Sequence, residues 1–382
     1  MKRFCFVGAG FSGAVMSRAF AEAGYKCLVV EERDHVAGNC HTQRDAETGI
    51  MQHVYGPHIF HTRDEPVWAY LQRFACLIPY VNRVKVISNG QVFTFPINLL
   101  TINQFFGRTL RPDEAKSFLE SQARLDIVDP RNFEEQALRV IGDRLYRAFF
   151  EGYTRKQWGC EPSELPASVF KRLPIRFNYD DNYFSHPYQG VPQNGYTEIV
   201  KKILTVDGIE VRLNCRFENL DEKFEHVFYS GPIDRFFGYR FGQLGYRTLD
   251  FEPLRTEGDY QGTAVINYCD YHVPYTRITE HKHLSPWEAH KFDKTICFKE
   301  YSRVCGKDDI PYYPIRLAKD RSLLEAYIEL ANQMRGVTFI GRLGTYRYLD
   351  MDVTIREAIN AADRALDLIA ARRPLPSFFV DP

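Results

Sequence analysis

Apolar and polar residues follow three distinct patterns near the start of the chain. Residues 4–7 form a short apolar run, residues 14–24 place apolar side chains at helical spacing, and residues 27–30 form a second apolar run. Short continuous runs are typical of buried strands, and recurrence every three to four residues is typical of a helix. The pattern therefore predicts a strand, a glycine-rich turn, a helix and a second strand, which together indicate an α/β fold.

The same periodicities divide the rest of the chain. They first predict a β-hairpin over residues 83–95, with a type I′ turn at Asn89-Gly90. Helices follow between residues 101 and 173, where Gly142 separates one over 133–141 from one over 143–150. The remaining predictions are a strand over 223–231, antiparallel strands over 262–268, 275–280 and 295–301, and a strand over 337–340 followed by a helix. In that last helix one face carries Ile355, Ala358, Ile359, Ala362, Leu366 and Ile369.

The turn after the first strand has the spacing of a dinucleotide-binding motif. Gly8 allows a tight turn, Gly10 lets the backbone approach a pyrophosphate, and Gly13 lets the helix pack closely on the strand. The helix N-terminus then directs N–H groups at the phosphates. Glu31, about twenty residues on, can accept hydrogen bonds from ribose hydroxyls. The alternative is a glycine-rich turn that serves packing alone.

Two features favour a flavin over a nicotinamide dinucleotide. The acidic strand continues as Glu32-Arg33 and leads to Gly38, with Ala37 where flavin-binding folds often have a first glycine. We expect alanine to fit that position with little effect. The strand, turn and helix at the C-terminal end mirror the N-terminal unit, and a second helix N-terminus would stabilise negative charge on the cofactor. A reduced flavin carries such charge and nicotinamide does not.

These elements predict an α/β protein with three parts, because 382 residues exceed the size at which one core stops growing. The parts are a discontinuous Rossmann-like FAD-binding domain over 1–80, 215–232 and 334–382, a helical subdomain over 98–172, and an antiparallel sheet domain over 81–97, 173–214 and 233–333.

Composition excludes several classes of protein. Lysine plus arginine and aspartate plus glutamate both number 49, so no basic excess favours nucleic acid. No apolar run approaches the roughly twenty residues of a membrane span. The chain has nine cysteines, an odd number, and no two of them have CxxC spacing. This pattern is typical of a protein in a reducing cytoplasm, and it argues against a disulfide framework and against a zinc site. A secretion signal at the N-terminus is disfavoured because three glycines interrupt its apolar stretch.

Three segments carry candidate chemistry. The loop over 53–62 holds three histidines, and it can be a packed loop, a metal site or, as we favour, a loop against a cofactor ring. The segment over 149–159 is rich in aromatic residues, which can form either a platform on which a base stacks or a cluster in the core of the helical subdomain. Arg172 lies among prolines and aromatics, where a guanidinium suits phosphate. Arg277 sits inside a predicted strand, so we expect it to meet an anion.

Together these segments resemble one family, the prokaryotic UDP-galactopyranose mutases. The resemblance covers residues 4 to about 355 and rests on VGAGFSGAV, HVYGPHIFHT, PYVNRVK, GYTRKQWG, SELPASVFKRLPIRFNYDDNYF, VPYTRITEHK, IPYYPIR and GRLGTYRYLDMDVTI. It implies a cytoplasmic flavoprotein, an isomerase that interconverts UDP-galactopyranose and UDP-galactofuranose to supply cell-surface glycans. It further implies a homodimer and an external reductant of the flavin.

The resemblance also implies a mechanism without net redox change. N5 of reduced FAD attacks the anomeric carbon and expels UDP, and the covalent flavin–sugar adduct opens through an iminium and recloses as the five-membered ring. The cofactor supplies the nucleophile, so the protein binds, orients and stabilises charge. Residues 172–183 are expected to include a loop that moves over the substrate.

The resemblance assigns roles residue by residue. Catalytic roles fall on Arg172, Arg277 and His61. Substrate contacts fall on Asn82, Phe150, Tyr153, Thr154, Trp158, Arg172, Tyr183, Asn267, Arg277, Tyr313 and Tyr348. Cofactor contacts fall on Gly8, Gly10, Phe11, Ser12, Gly13, Glu31, Glu32, Arg33, Gly38, Asn39, His58, Ile59, His61, Arg342, Tyr348, Asp350 and Met351. No metal ligand is implied.

Two other functions remain open on sequence grounds. A flavin oxidoreductase of the amine-oxidase type shares the glycine turn and the C-terminal flavin helix, but needs an apolar aromatic cage instead of a diphosphate clamp. A non-catalytic sugar-nucleotide sensor would not need the arginine and histidine residues beside the flavin. Whether the sugar carries a 2-acetamido group is not decided by the sequence.

Overall fold

The computed structural model describes residues 3–170 and 174–382 of the chain. Its strands are β1 (Arg3–Val7), β2 (Lys26–Val30), β3 (Thr42–Arg44), β4 (Met51–His53), β5 (Phe60–Thr62), β6 (Leu77–Pro79), β7 (Val84–Ser88), β8 (Gln91–Phe95), β9 (Tyr188–Pro192), β10 (Ile209–Arg212), β11 (His226–Tyr229), β12 (Tyr246–Glu257), β13 (Val265–Tyr268), β14 (Arg277–Glu280), β15 (Lys294–Val304), β16 (Tyr313–Pro314) and β17 (Val337–Phe339).

Its α-helices are α1 (Phe11–Glu22), α2 (Glu65–Gln72), α3 (Leu99–Phe106), α4 (Pro112–Gln122), α5 (Phe133–Tyr146), α6 (Gly152–Trp158), α7 (Ala167–Phe170), α8 (Gly195–Leu204), α9 (Ile233–Phe236), α10 (Ala318–Gln333), α11 (Gly341–Gly344) and α12 (Met351–Ala370). A π-helical turn spans Arg147–Glu151, and 3-10 turns span Gly38–Cys40, Pro162–Glu164, Phe217–Asn219, His281–Leu284 and Ala289–Lys291. No helix in these described ranges combines the length and apolarity needed to cross a bilayer.

A five-stranded parallel sheet forms the first layer, in the order β10-β2-β1-β11-β17. Its strands come from widely separated parts of the sequence, which confirms the predicted discontinuous Rossmann-like domain. Both faces of a parallel sheet are buried, so its strands read as apolar runs. Phe4, Phe6 and Phe228 are at most 1% exposed and pack around Phe20 of α1.

Helices α1, α8 and α12 cover one face of this sheet. The predicted apolar stripe of the last helix is confirmed at Ile355, Ala358 and Ala362, which are buried against α1. Helix α10 packs in a second cluster around Tyr327, together with Tyr229 of β11 and Phe339 of β17. Small residues on α12 allow α1 to approach closely, which fixes the glycine turn that precedes α1.

A seven-stranded sheet forms the second large layer, in the order β16-β12-β15-β14-β13-β7-β8. Its pairs are antiparallel except for the parallel pair of β13 and β7. The hairpin of β7 and β8 turns at Asn89 and Gly90, whose φ angles of 50° and 73° both lie in the left-handed region. That geometry confirms the predicted type I′ turn.

The segment predicted to be helical contains helices α3 to α7 within the described residues, and Gly142 separates two helices as predicted. The φ of 72° and ψ of 174° at Gly142 are non-helical and divide α5 there, and the second part passes after Tyr146 into the π-helical turn. A Cβ at Gly142 would lie 2.3 Å from the carbonyl oxygen of Gln122. The glycine therefore both separates the two helical parts of α5 and permits close packing against the end of α4.

One boundary of the predicted sheet domain is wrong. Residues 173–214 were assigned to the antiparallel sheet, but β10 extends the parallel sheet by pairing with β2. Helix α8 packs on α1, and the Arg18 guanidinium donates to the Lys202 and Ile203 carbonyls at its end. The apolar side chains of α8 recur at helical spacing, a signal in the sequence that was not used.

Candidate functional site

A cavity of about 1240 Å³ opens where the parallel strands end. The residues that follow β1, β2 and β11 line it on one side, and residues of β13 and β14 line it on the other. Ligands of open α/β sheets bind at the carboxyl ends of the strands, so the topology itself places a binding site here. The cavity is larger than one small substrate needs, because typical ligand pockets are roughly 300–1,000 Å³.

The glycine turn has the geometry of a phosphate cradle. A Cβ at Gly13 would lie 2.1 Å from the carbonyl oxygen of Gly8, so α1 can approach β1 only with glycine at that position. A Cβ at Gly10 would meet no protein atom within 4 Å, and Gly10 lines the cavity. Helix α1 begins at Phe11 without a side-chain cap or an acidic first turn, so its N–H groups and positive dipole end face the cavity.

The acidic end of β2 orders this turn. The Glu31 carboxylate is 7% exposed and accepts hydrogen bonds from the backbone N–H groups of Ala9 (3.0 Å) and Arg33 (3.1 Å). Glu32 instead pairs with Arg235 at 2.7 Å, and this hydrogen bond lowers the pKa of Glu32. Glu31 therefore holds the glycine turn and also lines the cavity.

Ala37 contradicts the expectation that alanine fits its position with little effect. Its φ of 78° lies in the left-handed region, which costs an L-residue with a Cβ roughly 1–2 kcal/mol. Its N–H donates to the Ala9 carbonyl at 2.9 Å, so contact with the glycine turn imposes this conformation.

Two arginines present unpaired donors beside the cavity. Nη1 of Arg33 and both Nε and Nη2 of Arg342 are buried and make no hydrogen bond to the described protein. The Arg33 guanidinium lies 4.9 Å from the Tyr55 ring centre, and that of Arg342 lies 4.7 Å from the Tyr348 ring centre. Buried donors require partners, so this lining fits an anionic cofactor.

The histidine loop forms a chain of hydrogen bonds. The His58 imidazole donates from Nδ1 to the Gly56 carbonyl at 2.8 Å, and the backbone N–H of His58 donates to Nδ1 of His53. The backbone N–H of His53 donates in turn to Nδ1 of His281. Burial lowers the pKa of His58 to about 4 and that of His281 to about 3, so both rings are neutral at pH 7.

His61 belongs to a separate pair on β5. Its Nδ1 lies 2.8 Å from Nδ1 of His186, and its ring stacks on Phe184 with centres 3.6 Å apart. Within residues 3–170 and 174–382, the one group of possible metal ligands close enough to share an ion is Asp259, Glu280 and His283, which is outside this loop.

Arg277 of β14 is held on the side of the cavity opposite the glycine turn. It lies opposite Glu300 in the β14–β15 register, with Nε 3.2 Å from Oε1, and its Nη2 donates to the Tyr153 hydroxyl at 2.9 Å. Burial opposes its charge, but Glu300 and nearby tyrosines keep the pKa of Arg277 well above its ordinary value. Burial raises the pKa of Glu300, and Arg277 opposes that rise.

The structure brings most of the predicted site residues to this one cavity. The predicted cofactor residues line it except Gly13, which packs beneath the turn. The predicted substrate residues that line it are Asn82, Tyr153, Tyr183, Asn267, Arg277, Tyr313 and Tyr348. The amide oxygens of Asn82 and Asn267 are buried without a hydrogen bond to the described protein, so each can accept one from a ligand.

Three of the predicted substrate residues that the structure describes do not line the cavity. Phe150 packs against Phe133 and Phe170 in the subdomain core. Thr154 is 3% exposed, and the Trp158 ring lies 6.3 Å from that of Tyr313 at the cavity edge. Arg172 lies outside the residues that the structure describes.

Sequence reasoning missed two loops that line the cavity. Residues 230–232 follow β11 directly, and the Gly231-Pro232 pair after a predicted strand was a signal for such a loop. Residues 307–309 reach the cavity through tertiary folding, and the Lys307 ammonium lies 5.0 Å from the Tyr239 ring centre. No local pattern marks this second loop.

The parallel sheet, the glycine turn and the cavity at the strand ends define a Rossmann-like dinucleotide-binding protein. Consistent with this class, the profile of the NAD(P)-binding Rossmann-like domain matches residues 7–74. The profile of the UDP-galactopyranose mutase family matches residues 148–348, more than half of the chain. The chain belongs to the UDP-galactopyranose mutase family, and a flavin is the cofactor that this family and fold imply.

Individual relatives support this assignment. The chain is 57% identical over 380 residues to a probable UDP-galactopyranose mutase of Klebsiella pneumoniae, covering 99% of this chain and 98% of the relative. It is 50% identical to dTDP-fucopyranose mutase of Escherichia coli, covering 95% and 98%. Its fold matches a crystal structure of reduced UDP-galactopyranose mutase with a TM-score of 0.74 at 16% identity, covering 96% of each chain.

Proposed function

We propose that this protein is a UDP-galactopyranose mutase that interconverts UDP-galactopyranose and UDP-galactofuranose with reduced FAD. One observation carries the proposal: a single cavity joins the glycine turn of a dinucleotide site to an arginine held for a diphosphate. The 57% identity to a probable mutase over nearly the whole chain supports the same substrate class.

The residues around the glycine turn fit FAD. The uncapped N-terminus of α1 and the open space at Gly10 suit a pyrophosphate, and the Arg33 guanidinium offers a buried donor. Helix α12 begins at Met351 at the cavity, and Arg342 offers two more donors. This positive end of the cavity would stabilise the negative charge of a reduced flavin.

When bound, the reduced flavin supplies the nucleophile for the anomeric carbon of the sugar, so the protein needs no nucleophile of its own. Neutral His58 can accept a hydrogen bond at Nε2, because its Nδ1 donates to Gly56. We propose that His58 and His61 lie against the flavin ring. Their rings and Phe184 would limit water access there.

On the substrate side, we propose that Arg277 and Arg172 hold the diphosphate and offset the charge on departing UDP. The guanidinium of Arg277 is oriented before substrate binds, because Glu300 and Tyr153 hold it in place. A donor that is fixed beforehand costs no reorganisation when charge develops. Tyr183, Tyr313 and Tyr348 line the same cavity and can donate to phosphate oxygens.

The two alternatives predict different site chemistry. An amine-oxidase-type oxidoreductase would bind an uncharged or cationic substrate, which a cavity containing Arg277 and Arg342 disfavours. A sensor would have no use for unpaired arginine donors on the flavin side. The 50% identity to a dTDP-fucopyranose mutase makes dTDP-fucose the competing substrate to test.

The test is chromatography of UDP-galactofuranose incubated with purified, flavin-loaded protein, with and without dithionite. We expect conversion to UDP-galactopyranose after reduction only. dTDP-fucofuranose is assayed in parallel, and a higher kcat/KM for it would replace the proposed substrate. No conversion of either nucleotide sugar by the reduced protein would overturn the mutase proposal and favour the oxidoreductase.

The biological setting belongs to the same proposal. We propose that a cytoplasmic homodimer receives electrons from an external reductant and supplies galactofuranose for cell-surface glycans. Light scattering of the flavin-loaded protein tests the dimer, and a mass near 44.5 kDa, that of one chain, would contradict it.

A further inference from the structure

Lys156 occupies a cage of three backbone carbonyl groups. Its Nζ donates to the carbonyl oxygens of Tyr268 (2.7 Å), Asp270 (2.9 Å) and Tyr275 (3.0 Å). A lysine ammonium has three N–H donors, so these three acceptors satisfy it completely. All three acceptors lie at or within the connection between β13 and β14. The lysine therefore joins the helical subdomain to the antiparallel sheet.

The two elements joined by this ammonium carry opposite sides of the substrate cavity. Helix α6 carries Tyr153, three residues before Lys156 and therefore on the same helix face. The β13–β14 connection follows Tyr268 and ends at Arg277, and Asn267 lies near the end of β13. Tyr153, Asn267 and Arg277 all line the cavity. The Tyr153–Arg277 hydrogen bond of 2.9 Å crosses the same interface.

The interface leaves no space for adjustment at the start of α6. A Cβ at Gly152 would lie 2.4 Å from the Cys269 carbonyl oxygen and 2.9 Å from the Tyr271 nitrogen. The helix thus packs on the connection backbone to backbone. Its position relative to Arg277 is set by direct contact and by the Lys156 ammonium.

The other end of α6 is fixed to the same sheet. Arg247 of β12 is 3% exposed and donates from Nε to the Gln157 carbonyl (3.0 Å) and from Nη2 to the Lys156 carbonyl (3.2 Å). Ser302 of β15 also donates to the Gln157 carbonyl, at 2.7 Å. A cation at a helix C-terminus is favourable to the helix dipole. Both ends of α6 are therefore anchored, and the Lys156 ammonium anchors the helix face that carries Tyr153.

We propose that Lys156 is a positioning residue that holds Tyr153 against Arg277, so that the nucleotide clamp is assembled before substrate binds. The inference rests on the proposed function, because it assigns UDP to this cavity. Lys156 itself faces the carbonyl cage and acts on the substrate through Tyr153 and Arg277. Losing it leaves three carbonyl groups without their shared donor and releases α6 from the connection.

The test compares Lys156→Met with the matched control Arg155→Met. The control removes the cation at the neighbouring position, where Arg155 forms ion pairs with Glu151 and Glu161. The UDP Kd is measured by calorimetry on flavin-loaded protein, together with KM and kcat. We expect Lys156→Met to raise Kd and KM about tenfold while kcat stays within about threefold. Arg155→Met should match the wild type.

A double-mutant cycle with Tyr153→Phe separates positioning from general destabilisation. If Lys156 acts through Tyr153, its substitution costs less UDP affinity in the Tyr153→Phe background than in the wild type. Equal costs in both backgrounds, or an unchanged Kd and KM in Lys156→Met, would overturn the inference. If Lys156→Met does not fold, Gly152→Ala tests the same interface and should raise KM selectively.

The proposed function and this inference can fail separately. A wild-type protein that binds UDP but converts neither nucleotide sugar would end the mutase proposal, while the UDP Kd of the variants would still decide the role of Lys156. A wild-type protein that converts UDP-galactofuranose, alongside a Lys156→Met variant of unchanged KM, would overturn this inference alone.

Discussion

At the scale of single residues, the site depends on groups that are fixed before a ligand enters. Arg277 is held by Glu300 and the Tyr153 hydroxyl, and Glu31 holds the glycine turn through two backbone N–H groups. Arg33 and Arg342 keep buried donors without a hydrogen bond in the described protein, and so does Nε of Arg277, although it lies 3.2 Å from the Glu300 carboxylate. The fixed groups orient the site, and the unpaired donors provide its affinity for anions.

Arg277→Ala should lower kcat/KM at least 100-fold, because one preorganised donor to developing charge is worth roughly 3 kcal/mol. Flavin content should stay normal, since Arg277 belongs to the sheet opposite the glycine turn. Steady-state kinetics and the flavin absorbance of the purified variant measure both effects. Arg124→Ala, which removes an exposed arginine beside Asp126, is the control. Wild-type kinetics in Arg277→Ala would refute the diphosphate role.

Gly10→Ala and Gly13→Ala should fail in different ways, although both change one glycine of the same turn. At Gly10 the added methyl group enters open cavity, so the apoprotein should unfold at its normal temperature while the Kd for FAD rises. At Gly13 it meets the Gly8 carbonyl oxygen, so the apoprotein itself should lose about 1–3 kcal/mol of stability. Thermal unfolding and FAD titration of both apoproteins distinguish the loss of FAD affinity from the loss of stability. The same unfolding temperature and the same FAD Kd in the two variants would count against the cradle geometry.

At the scale of elements, the helices around the cavity are positioned by close contacts with their neighbours. Helix α1 is fixed between β1 and α12, whose buried face is rich in alanine. Helix α6 is fixed between the β13–β14 connection and β12. In both cases small residues, Ala362 and Gly152, set the distance of closest approach. Larger side chains at these points should displace a whole element.

Ala362→Leu should lower the free energy of unfolding by about 1–3 kcal/mol, because Ala362 is fully buried and the extra side chain must displace α1 from α12. Asp363→Leu puts the same side chain on the exposed face of the helix and should change stability by less than about 0.5 kcal/mol. Urea unfolding of the flavin-loaded variants makes the comparison. Equal stability of the two variants would show that α12 does not pack as described.

At the scale of the whole molecule, many buried histidines make stability sensitive to acid. Burial lowers the pKa of five of them. The pKa falls to about 4 for His41, His58 and His226 and to about 3 for His281, and it falls well below its ordinary value for His53. In the unfolded chain each histidine has a pKa near 6.5. Below that value the unfolded chain binds more protons than the folded chain, so stability is lost as pH falls from about 6.5 towards 4.

Between pH 7 and pH 5 the thermal unfolding temperature should therefore fall, with His58, His226 and His281 each contributing about 2 kcal/mol at pH 5. Burial raises the pKa of Asp234 and Glu300, and these two carboxyls act in the opposite direction. His226 packs between β11 and β17, where it bonds Thr338, so His226→Gln should reduce the pH dependence without affecting the cavity. An unfolding temperature that rises as the pH falls to 5 would contradict the prediction.

The sequence by itself determined the parts whose physics is local. Hydrophobic periodicity identified the strands and helix around the glycine turn, the β7–β8 hairpin and the C-terminal strand and helix. Asn89-Gly90 specified the type I′ turn, and the spacing of Gly8, Gly10 and Gly13 specified the phosphate cradle. These features depend on a residue and its near neighbours, because backbone conformation and side-chain period are short-range properties. Gly8, Gly10, Gly13 and Glu31 follow from this local pattern, whereas the other predicted cofactor residues follow from the resemblance to the mutase family.

Only the tertiary structure decided how distant segments meet. It put β10 and α8 in the parallel sheet, paired Arg277 with Glu300, and made three carbonyl groups converge on Lys156. It also imposed the left-handed conformation of Ala37 through its contact with the glycine turn. Each of these contacts joins groups far apart along the chain. Their energies depend on distance and burial in the folded molecule, which no local pattern of residues records.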